Sequence, residues 1–472
     1  MTARVRRDDL LAGLPDEWPD DLLPEIQRQV QASGRKVVVL DDDPTGTQTV
    51  HGVPVLTEWS VTALRHELSS ELSAFYLLTN SRSLPLEEAC ALNMEIGRNL
   101  VKAGREVGRS FVVVSRSDST LRGHFPGEVE ALAEALGDGF DAWLIIPFLL
   151  EGGRYTIRDV HYVAEDEWLV PAGETEFARD AAFGYRASNL REWVEEKTEG
   201  RIPAEAVASV SIEDLRRGGP ERVTEILMGL ERGSVCIVNA ASSRDLEVFV
   251  LGLLTAEAQG KRFLYRTAAS FVRVRAGISP RPLLTWKDLD LPGSGGALIV
   301  VGSHVPRTTS QLNALLALPG VIGVEVDVTS LLDDDQRVRE IERVARLADQ
   351  YLRDGRDAVV FTSRQLITGE DAKSSLLIGR RISDGLVAIV RAMTARPRYL
   401  LAKGGITSSD VATLGLGVKR SLVLGQILPG VPVWRLGPES RYPGLVYIVF
   451  PGNVGGLEAL VDIVTGLRVG GG

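Results

Sequence analysis

The sequence predicts an α/β fold of two domains, each built on a largely parallel sheet flanked by helices. Short apolar, β-branched runs alternate with segments whose apolar residues recur at helical spacing, as over 86–96. This alternation is typical of parallel strands joined by crossover helices. The chain of 472 residues also exceeds what one hydrophobic core usually serves.

The boundary between the domains is predicted from a break in this alternation. Proline, serine and three glycines fall within 291–296, directly before the strand-like run 297–301. We therefore expect a first domain over 36–291 and a second domain over 292–472. Residues 1–35 predict a helical extension, acidic and punctuated by prolines. We expect this extension to pack against the chain or to form a homo-oligomer contact rather than to take part in catalysis.

Composition excludes several classes of function. The formal net charge of −10 argues against nucleic acid or an anionic membrane as a partner. Cys90 and Cys236 lie far apart, outside CxxC or Cys/His spacing, and no two histidines have i, i+4 spacing. Neither a disulfide framework nor a metal site built by protein alone is therefore expected. No segment, the N-terminus included, approaches the roughly 20 apolar residues of a membrane span. We expect a soluble protein of the reducing cytoplasm.

Polar side chains directly follow a strand in the first half of the chain. The run 36–40 is strand-like, and Asp41, Asp42 and Asp43 come next, with Thr45 in the Pro-Thr-Gly turn after them. Ligands of open α/β sheets bind beyond the carboxyl ends of the strands, so these groups are expected at a functional edge. The alternative is that the aspartates only cap a following helix and solvate a turn.

The same arrangement recurs after three further strand-like runs. Each of 75–78, 111–115 and 142–147 leads into a polar turn. These turns supply the candidate side chains Asn80, Arg82, Asp118, Ser119, Arg122 and Arg154. Hydroxyl, amide, carboxylate and guanidinium groups together suit a small polyhydroxylated anion such as a sugar acid. A single arginine is more often part of a surface ion pair, but the shared position after strands favours a site.

Turns rich in glycine and hydroxyl groups end strand-like runs in the second half. The run 300–301 ends on Gly302 and Ser303, and the run 399–402 leads through Lys403 into the double glycine and hydroxyl residues of 404–409. Free N–H groups at a helix start favour phosphate, although an ordinary capped strand-to-helix turn has the same local pattern.

Three common enzyme motifs are missing from the sequence. GxxxxGK[ST] and GxSxG are absent, and no GxGxxG follows a strand. Their absence argues against a Walker-type NTPase, a serine hydrolase with a nucleophile elbow and a nicotinamide dehydrogenase.

Taken together, these pieces resemble the four-carbon acid sugar kinase family, long catalogued as a domain of unknown function. The matching segments are DDDPTGTQTV (41–50), TNSRSLPLEEA (79–89), SRSDSTLRGHFPGE (115–128), GGRYT (152–156), ETEFARD (174–180), VVGS (300–303) and KGGITSSDVA (403–412). They occur in the family's order across most of the chain. The resemblance implies an N-terminal domain that binds a sugar acid and a C-terminal domain that binds ATP. The active site would then lie in the cleft between them.

The resemblance also implies which residues contact the nucleotide. They are Ser303, Gly404, Gly405, Ile406, Thr407, Gly452 and Gly455. One segment departs from the family, because many relatives have Lys-Ser where this chain has Phe450 and Pro451. A phosphate-facing ammonium would then be missing. Lys403 is either its substitute or a solvated lysine at a strand end.

The expected activity is ATP-dependent phosphorylation of a hydroxyl on a short acid sugar, a tetronate, 3-oxo-tetronate or close relative, with Mg²⁺ arriving on the nucleotide. Such transfer needs a carboxylate that accepts the hydroxyl proton. Asp41, Asp42 and Asp43 are the candidates, with Asp118 next and Asp42 preferred within the cluster. Thr45 and the six candidate side chains of the other polar turns are expected to bind the substrate. The alternatives are a sugar-acid-binding or regulatory paralogue that has lost transfer, and a dehydrogenase, which rests only on fold analogy.

Overall fold

The polypeptide divides into two units, both of which combine strands and helices. A computed structural model of the chain describes residues 4–137, 139–364, 367, 372–452 and 454–468. The first unit consists of Met1–Val50 and Glu58–Pro280, and the second of His51–Thr57 and Arg281–Gly472. The domain limits predicted from the sequence stay a prediction.

The described residues form these elements. The strands are β1 (Val5–Arg6), β2 (Lys36–Asp41), β3 (Pro54–Leu56), β4 (Ala74–Leu78), β5 (Phe111–Arg116), β6 (Ala142–Ile146), β7 (Arg154–Ile157), β8 (Val160–Glu165), β9 (Trp168–Pro171), β10 (Ala208–Val210), β11 (Ser234–Val238), β12 (Phe263–Thr267), β13 (Leu298–Val301), β14 (Val321–Val326), β15 (Asp357–Thr362), β16 (Leu400–Lys403), β17 (Arg420–Leu428), β18 (Val431–Leu436) and β19 (Val446–Phe450). The α-helices are α1 (Arg7–Ala12), α2 (Leu23–Ser33), α3 (Val61–Ser69), α4 (Leu86–Val107), α5 (Gly127–Ala135), α6 (Leu190–Lys197), α7 (Ile212–Arg216), α8 (Gly219–Met228), α9 (Ser243–Ala258), α10 (Ala269–Arg275), α11 (Trp286–Leu289), α12 (Pro306–Leu316), α13 (Val328–Leu332), α14 (Asp334–Arg353), α15 (Ala372–Ala392), α16 (Gly405–Asp410) and α17 (Ala459–Arg468).

A parallel sheet forms the centre of the first unit. Its strands lie in the order β10-β11-β6-β12-β5-β2-β4, and each pairing is parallel. Both β2 and β4 are buried along their whole length, as expected of parallel strands covered on both faces. The amphipathic segment 86–96 is confirmed as the start of α4, which is capped by Gly108 in a left-handed conformation that suits glycine. The predicted α/β fold is confirmed.

A smaller antiparallel sheet in the same unit was not predicted. Its strands lie in the order β1-β9-β8-β7. Val5 near the N-terminus pairs with Leu169, and Ile26 and Val30 of α2 are buried. Arg154 was expected on a turn after a parallel strand, but it begins β7 of this antiparallel sheet. Local pattern could not reveal this, because the hairpin partner of β7 decides its structure.

The second unit has a sheet that is parallel at one end and antiparallel at the other. The strands β19, β16, β13, β15 and β14 follow one another in parallel, whereas β3, β17, β18 and β19 pair antiparallel. The short strand β3 comes from the segment 51–57. Among the described residues, none of the helices has both the length and the apolar character needed to cross a bilayer.

A buried histidine links the antiparallel sheet to the turn after β5. His161 of β8 is fully buried, with Nε2 2.8 Å from the Ser119 carbonyl oxygen and Nδ1 3.0 Å from Thr156 Oγ1. A carbonyl only accepts, so Nε2 must carry the proton and Nδ1 accepts from the hydroxyl. Burial lowers the pKa of His161 to about 4, although the bond to Ser119 opposes this shift.

We predict that His161 makes the first unit sensitive to acid. The unfolded chain takes up this proton below about pH 6.5 but the folded chain only below about pH 4, so stability falls as pH falls through this window. The full effect is about 3 kcal/mol in the free energy of unfolding. His161→Gln, which cannot titrate, should lose less stability than the parent between pH 7 and pH 4.5 in denaturant titrations. Equal losses in both proteins would contradict this assignment.

Candidate functional site

The parallel register brings charged residues together at one edge of the first unit. Asp41, at the end of β2, is the register partner of Arg116, at the end of β5. Thr267, at the end of β12, is in turn the partner of Arg116. Because parallel strands end at the same edge, the turns that follow them are neighbours there.

Three carboxylates share two guanidinium groups at this edge. Arg116 Nη1 lies 2.9 Å from Asp41 Oδ1 and 3.7 Å from Asp42 Oδ1. Arg82 Nη1 lies 3.9 Å from Asp42 Oδ1, and Arg82 Nη2 forms an ion pair with Asp43 Oδ2. The cluster predicted at 41–43 is therefore a charge network in which Asp41 and Asp42 are buried, while Asp43 also caps the short helical turn Pro44–Thr47, as the alternative expected.

The surroundings separate the acidities of these carboxyl groups. Burial raises the pKa of Asp41 to about 7 in spite of Arg116. Burial also works against the ionisation of Asp43, but Arg82 and Arg116 outweigh it and the pKa of Asp43 is lowered. The pKa of Asp118 is lowered in the same way, because Arg82 and Arg122 outweigh the cost of its burial. A buried site that holds one carboxyl group near neutral pKa and others ionised is typical of catalytic centres.

The three aspartates differ in how much of each carboxylate is already in use. Both oxygens of Asp43 accept hydrogen bonds, from the Thr45 N–H and hydroxyl and from Arg82. Asp41 packs so closely on Gly46 that a Cβ there would lie 2.1 Å from its Oδ2. Asp42 Oδ2 accepts from Ser117 Oγ at 2.5 Å. Asp42 Oδ1 is buried and accepts no hydrogen bond from the described residues.

The turn after β5 adds a second cluster of charges. Asp118 Oδ1 lies 3.6 Å from Arg82, and its Oδ2 accepts from Arg122 Nε at 2.7 Å. Arg122 Nη1 also lies 3.6 Å from Asp180 Oδ2. The guanidinium groups of Arg122 and Arg154 stand 5.2 and 5.5 Å from the centre of the Phe177 ring. The two clusters are continuous through Arg82.

Most predicted residues of the first half thus meet in one network, but with different roles. Thr45 holds Asp43 in place, and Ser119 contributes its carbonyl oxygen to His161. Asn80 adopts a left-handed conformation with φ 51° directly before the short helical turn Ser81–Ser83. Arg154 donates to the Gly152 carbonyl, while its Nε is buried without a partner among the described residues.

Three charged residues of this edge were not among the sequence candidates. Arg116 stands inside a quoted motif, Arg266 is buried in β12 and donates to the Arg122 carbonyl at 2.8 Å, and Glu128 lies in the first turn of α5. Burial, followed by the charge of Asp42, raises the pKa of Glu128. Arg266 could have been recognised as a candidate because it is a lone arginine within the apolar run 263–267. A charge is rarely buried unless it has a partner.

In the second unit, three turns approach one another closely at the ends of β13, β16 and β19. Gly404 has φ 116°, and its N–H donates to the Phe450 carbonyl at 2.8 Å. A Cβ at Gly302 would lie 2.2 Å from Thr407 Oγ1, and one at Gly452 would lie 3.5 Å from Ser303 Oγ. Because glycine has no Cβ, neighbouring atoms can approach the backbone this closely at Gly302 and Gly404.

The remaining predicted residues of this half border the same turns. Ile406 is exposed on α16, directly after Gly405. The Gly455 carbonyl accepts from Gln311 Nε2 at 3.3 Å, and Gly455 has φ 81°.

Lys403 is not a solvated lysine at a strand end. It is fully buried, and its Nζ donates to the carbonyls of Pro451 at 2.7 Å and Gly452 at 3.2 Å. The ammonium also lies 3.8 Å from the centre of the Phe450 ring. Burial lowers its pKa to about 7, with a further contribution from Arg307.

Comparison with known proteins assigns both halves. Residues 37–275 match the model of a sugar-binding N-terminal domain, and residues 298–460 match that of a nucleotide-binding C-terminal domain. The chain is 27% identical to D-erythronate kinase of Heliobacterium modesticaldum over 377 residues, 75% of this chain and 79% of the relative. It is also 27% identical to 3-oxo-tetronate kinase of Methylobacterium radiotolerans over 407 residues, 82% of this chain and 88% of the relative.

Solved structures share the fold. A Salmonella typhimurium LT2 protein superposes with a TM-score of 0.64 at 16% identity, covering 91% of this chain and 98% of that one. A Haemophilus influenzae protein from a family of unknown function gives 0.60 at 20% identity, covering 91% and 100%. The matched models, which together span most of the sequence, show that the chain belongs to the four-carbon acid sugar kinase family, in which a sugar-binding N-terminal domain precedes a nucleotide-binding C-terminal domain.

Proposed function

We propose that the protein is an ATP-dependent kinase that phosphorylates a hydroxyl group of a short acid sugar, a tetronate, a 3-oxo-tetronate or a close relative. The proposal rests on the charge network at the edge of the sugar-binding half. Guanidinium groups such as Arg122 match a substrate carboxylate, while Asp42 and Asp118 can accept hydrogen bonds from hydroxyls. The names of the two kinase relatives support the same substrate class.

For the nucleotide, we propose the turns of the second unit. Ser303, Gly404, Gly405, Ile406, Thr407, Gly452 and Gly455 would hold ATP. A Cβ has no room at Gly302, and Gly404 has a left-handed backbone. Both features fit a turn that presents backbone N–H groups to phosphate. Mg²⁺ carried on the nucleotide would neutralise phosphate charge.

Within the aspartate cluster, we propose Asp42 as the acceptor of the hydroxyl proton. Asp43 has both oxygens bonded, and Asp41 is closed off by Gly46 and Arg116. Asp42 alone of the three keeps a buried oxygen that accepts no hydrogen bond from the described residues. Ser117 fixes its other oxygen, which orients the carboxylate. Arg82, Arg122 and Arg154 would bind the substrate carboxylate or the transferred phosphoryl group.

The substrate class is tested by ADP release from purified protein given ATP, Mg²⁺ and a panel of tetronates and 3-oxo-tetronates. We expect turnover with at least one acid and none with the matching four-carbon polyols, which lack the carboxylate. Calorimetric binding of an acid without any ADP release would instead support a sugar-acid-binding or regulatory paralogue. This alternative is suggested by the Phe450-Pro451 replacement. Neither binding nor turnover across the panel would overturn the substrate assignment.

The nucleotide turn is tested by Gly405→Val. A side chain at the first position of α16 should block close approach of phosphate and weaken ATP binding roughly 10- to 100-fold, the range for losing hydrogen bonds to a charged group. Gly404 is a poorer choice, because its φ of 116° would add backbone strain. Gly466→Val is the matched control, since a Cβ there meets no described atom within 4 Å. Unchanged calorimetric affinity in folded Gly405→Val would contradict the assignment.

The role of Asp42 is tested by making Asp41→Asn, Asp42→Asn and Asp43→Asn. An amide still forms hydrogen bonds but cannot accept the hydroxyl proton. Asp42→Asn should therefore lower kcat by about 10²- to 10⁴-fold while calorimetric affinity for both ligands stays near the parental value. The neighbouring substitutions should reduce kcat less. Near-parental kcat in all three variants would mean that the cluster is structural.

A further inference from the structure

Three buried side chains bind three carbonyl groups of the turn after β5. The bonds are His161 Nε2 to the Ser119 carbonyl, the Tyr185 hydroxyl to the Thr120 carbonyl and Arg266 Nη2 to the Arg122 carbonyl, each at 2.8 Å. We call His161, Tyr185 and Arg266 the carbonyl clamp. Their exposed fractions are 0, 5 and 6%, so each bond lies inside the protein.

The clamp residues come from separate parts of the fold. His161 belongs to the antiparallel sheet, Arg266 to β12 of the parallel sheet, and Tyr185 to the segment that precedes α6. His161 is itself oriented by Thr156. The turn is therefore held by three separate parts of the fold in addition to its own hydrogen bonds.

The turn has a conformation that needs such support. Leu121 has φ 69°, a left-handed backbone that a non-glycine residue rarely adopts. The Leu121 N–H donates to the Asp118 carbonyl at 3.1 Å, which closes the turn. Such a conformation persists only when the surrounding structure holds it in place. The clamp bonds hold the backbone on both sides of Leu121.

The bound carbonyls also set the direction of the N–H groups in the same peptide units. In a trans peptide the N–H points away from the C=O that precedes it. The bonds to the Ser119 and Arg122 carbonyls therefore direct the N–H groups of Thr120 and Gly123 away from the clamp. A Cβ at Gly123 would lie 3.3 Å from Asp42 Oδ2, so this end of the turn borders the proposed proton acceptor.

We propose that the carbonyl clamp is a set of positioning residues for the carboxylate-bearing substrate. It fixes the turn so that the Asp118 and Arg122 side chains meet the acid sugar in one geometry. This inference rests on the proposed function and adds to it residues that touch no substrate. Loss of a clamp bond should raise the KM for the acid and leave the KM for ATP unchanged.

Two substitutions each remove one clamp bond with little change of volume. Tyr185→Phe deletes the hydroxyl, which also lies 3.4 Å from the Ala172 carbonyl oxygen. His161→Leu deletes the donor to Ser119 together with the acceptor for Thr156. Each should raise the KM for the acid about tenfold, as expected when a buried carbonyl loses its hydrogen bond. His161→Gln retains an N–H donor and should restore a near-parental KM. Tyr442→Phe is the matched control, because it removes a similar bond, to the Ala395 carbonyl at 3.1 Å, in the second unit.

The experiment is steady-state kinetics of the folded variants, with ATP and the tetronate or 3-oxo-tetronate that the parent turns over best. A rise in the KM for the acid alone, reversed in His161→Gln and absent in Tyr442→Phe, supports the clamp. Equal rises in both KM values, or the same result for His161→Leu and His161→Gln, overturn the clamp but leave the proposed function standing. A parent that turns over none of the acids overturns both.

Discussion

Buried charge at the ends of the parallel strands is the constraint on which the first unit depends. The pairing of β2 with β5 places Asp41 beside Arg116, so that the carboxyl and guanidinium groups are buried as a pair. Removing one partner of such a pair typically costs roughly 3–5 kcal/mol, because the other charge stays buried alone. Any slip in the register of β2 against β5 would separate them. The same pairing thus specifies both the sheet and the site.

The sequence predicted those parts of the site that follow one strand directly. The aspartates after 36–40 and the turn after 111–115 were recognisable because a buried run meets polar residues within a few positions. Arg266 was missed because it lies within a strand, where only its long-range neighbours justify an arginine. The assignment of 51–57 to the second unit and the antiparallel sheet around Arg154 were missed for the same reason. They depend on pairing between distant segments.

Held carbonyl groups also shape the turn after β19 in the second unit. Gln311 of α12 directs Nε2 to three carbonyls of that turn. These are Val454 at 3.1 Å, Gly455 at 3.3 Å and Gly456 at 2.8 Å. Because a trans peptide opposes its C=O and N–H directions, the N–H groups of Gly455 and Gly456 face away from Gln311. A buried amide, with no charge of its own, can in this way orient backbone donors for an anion.

Lys403 gives the Phe450-Pro451 replacement a physical interpretation. Its ammonium donates hydrogen bonds to the carbonyls of Pro451 and Gly452 and contacts the face of the Phe450 ring. It therefore does not present an unpaired charge to a ligand. With a pKa near 7, it is also a poor permanent cation at neutral pH. A neutral amine still has two N–H donors and can keep both carbonyl bonds. Lys403 can therefore fix the path of the backbone in either protonation state, and under the proposed function phosphate would be bound by backbone N–H groups of this turn rather than by a lysine charge.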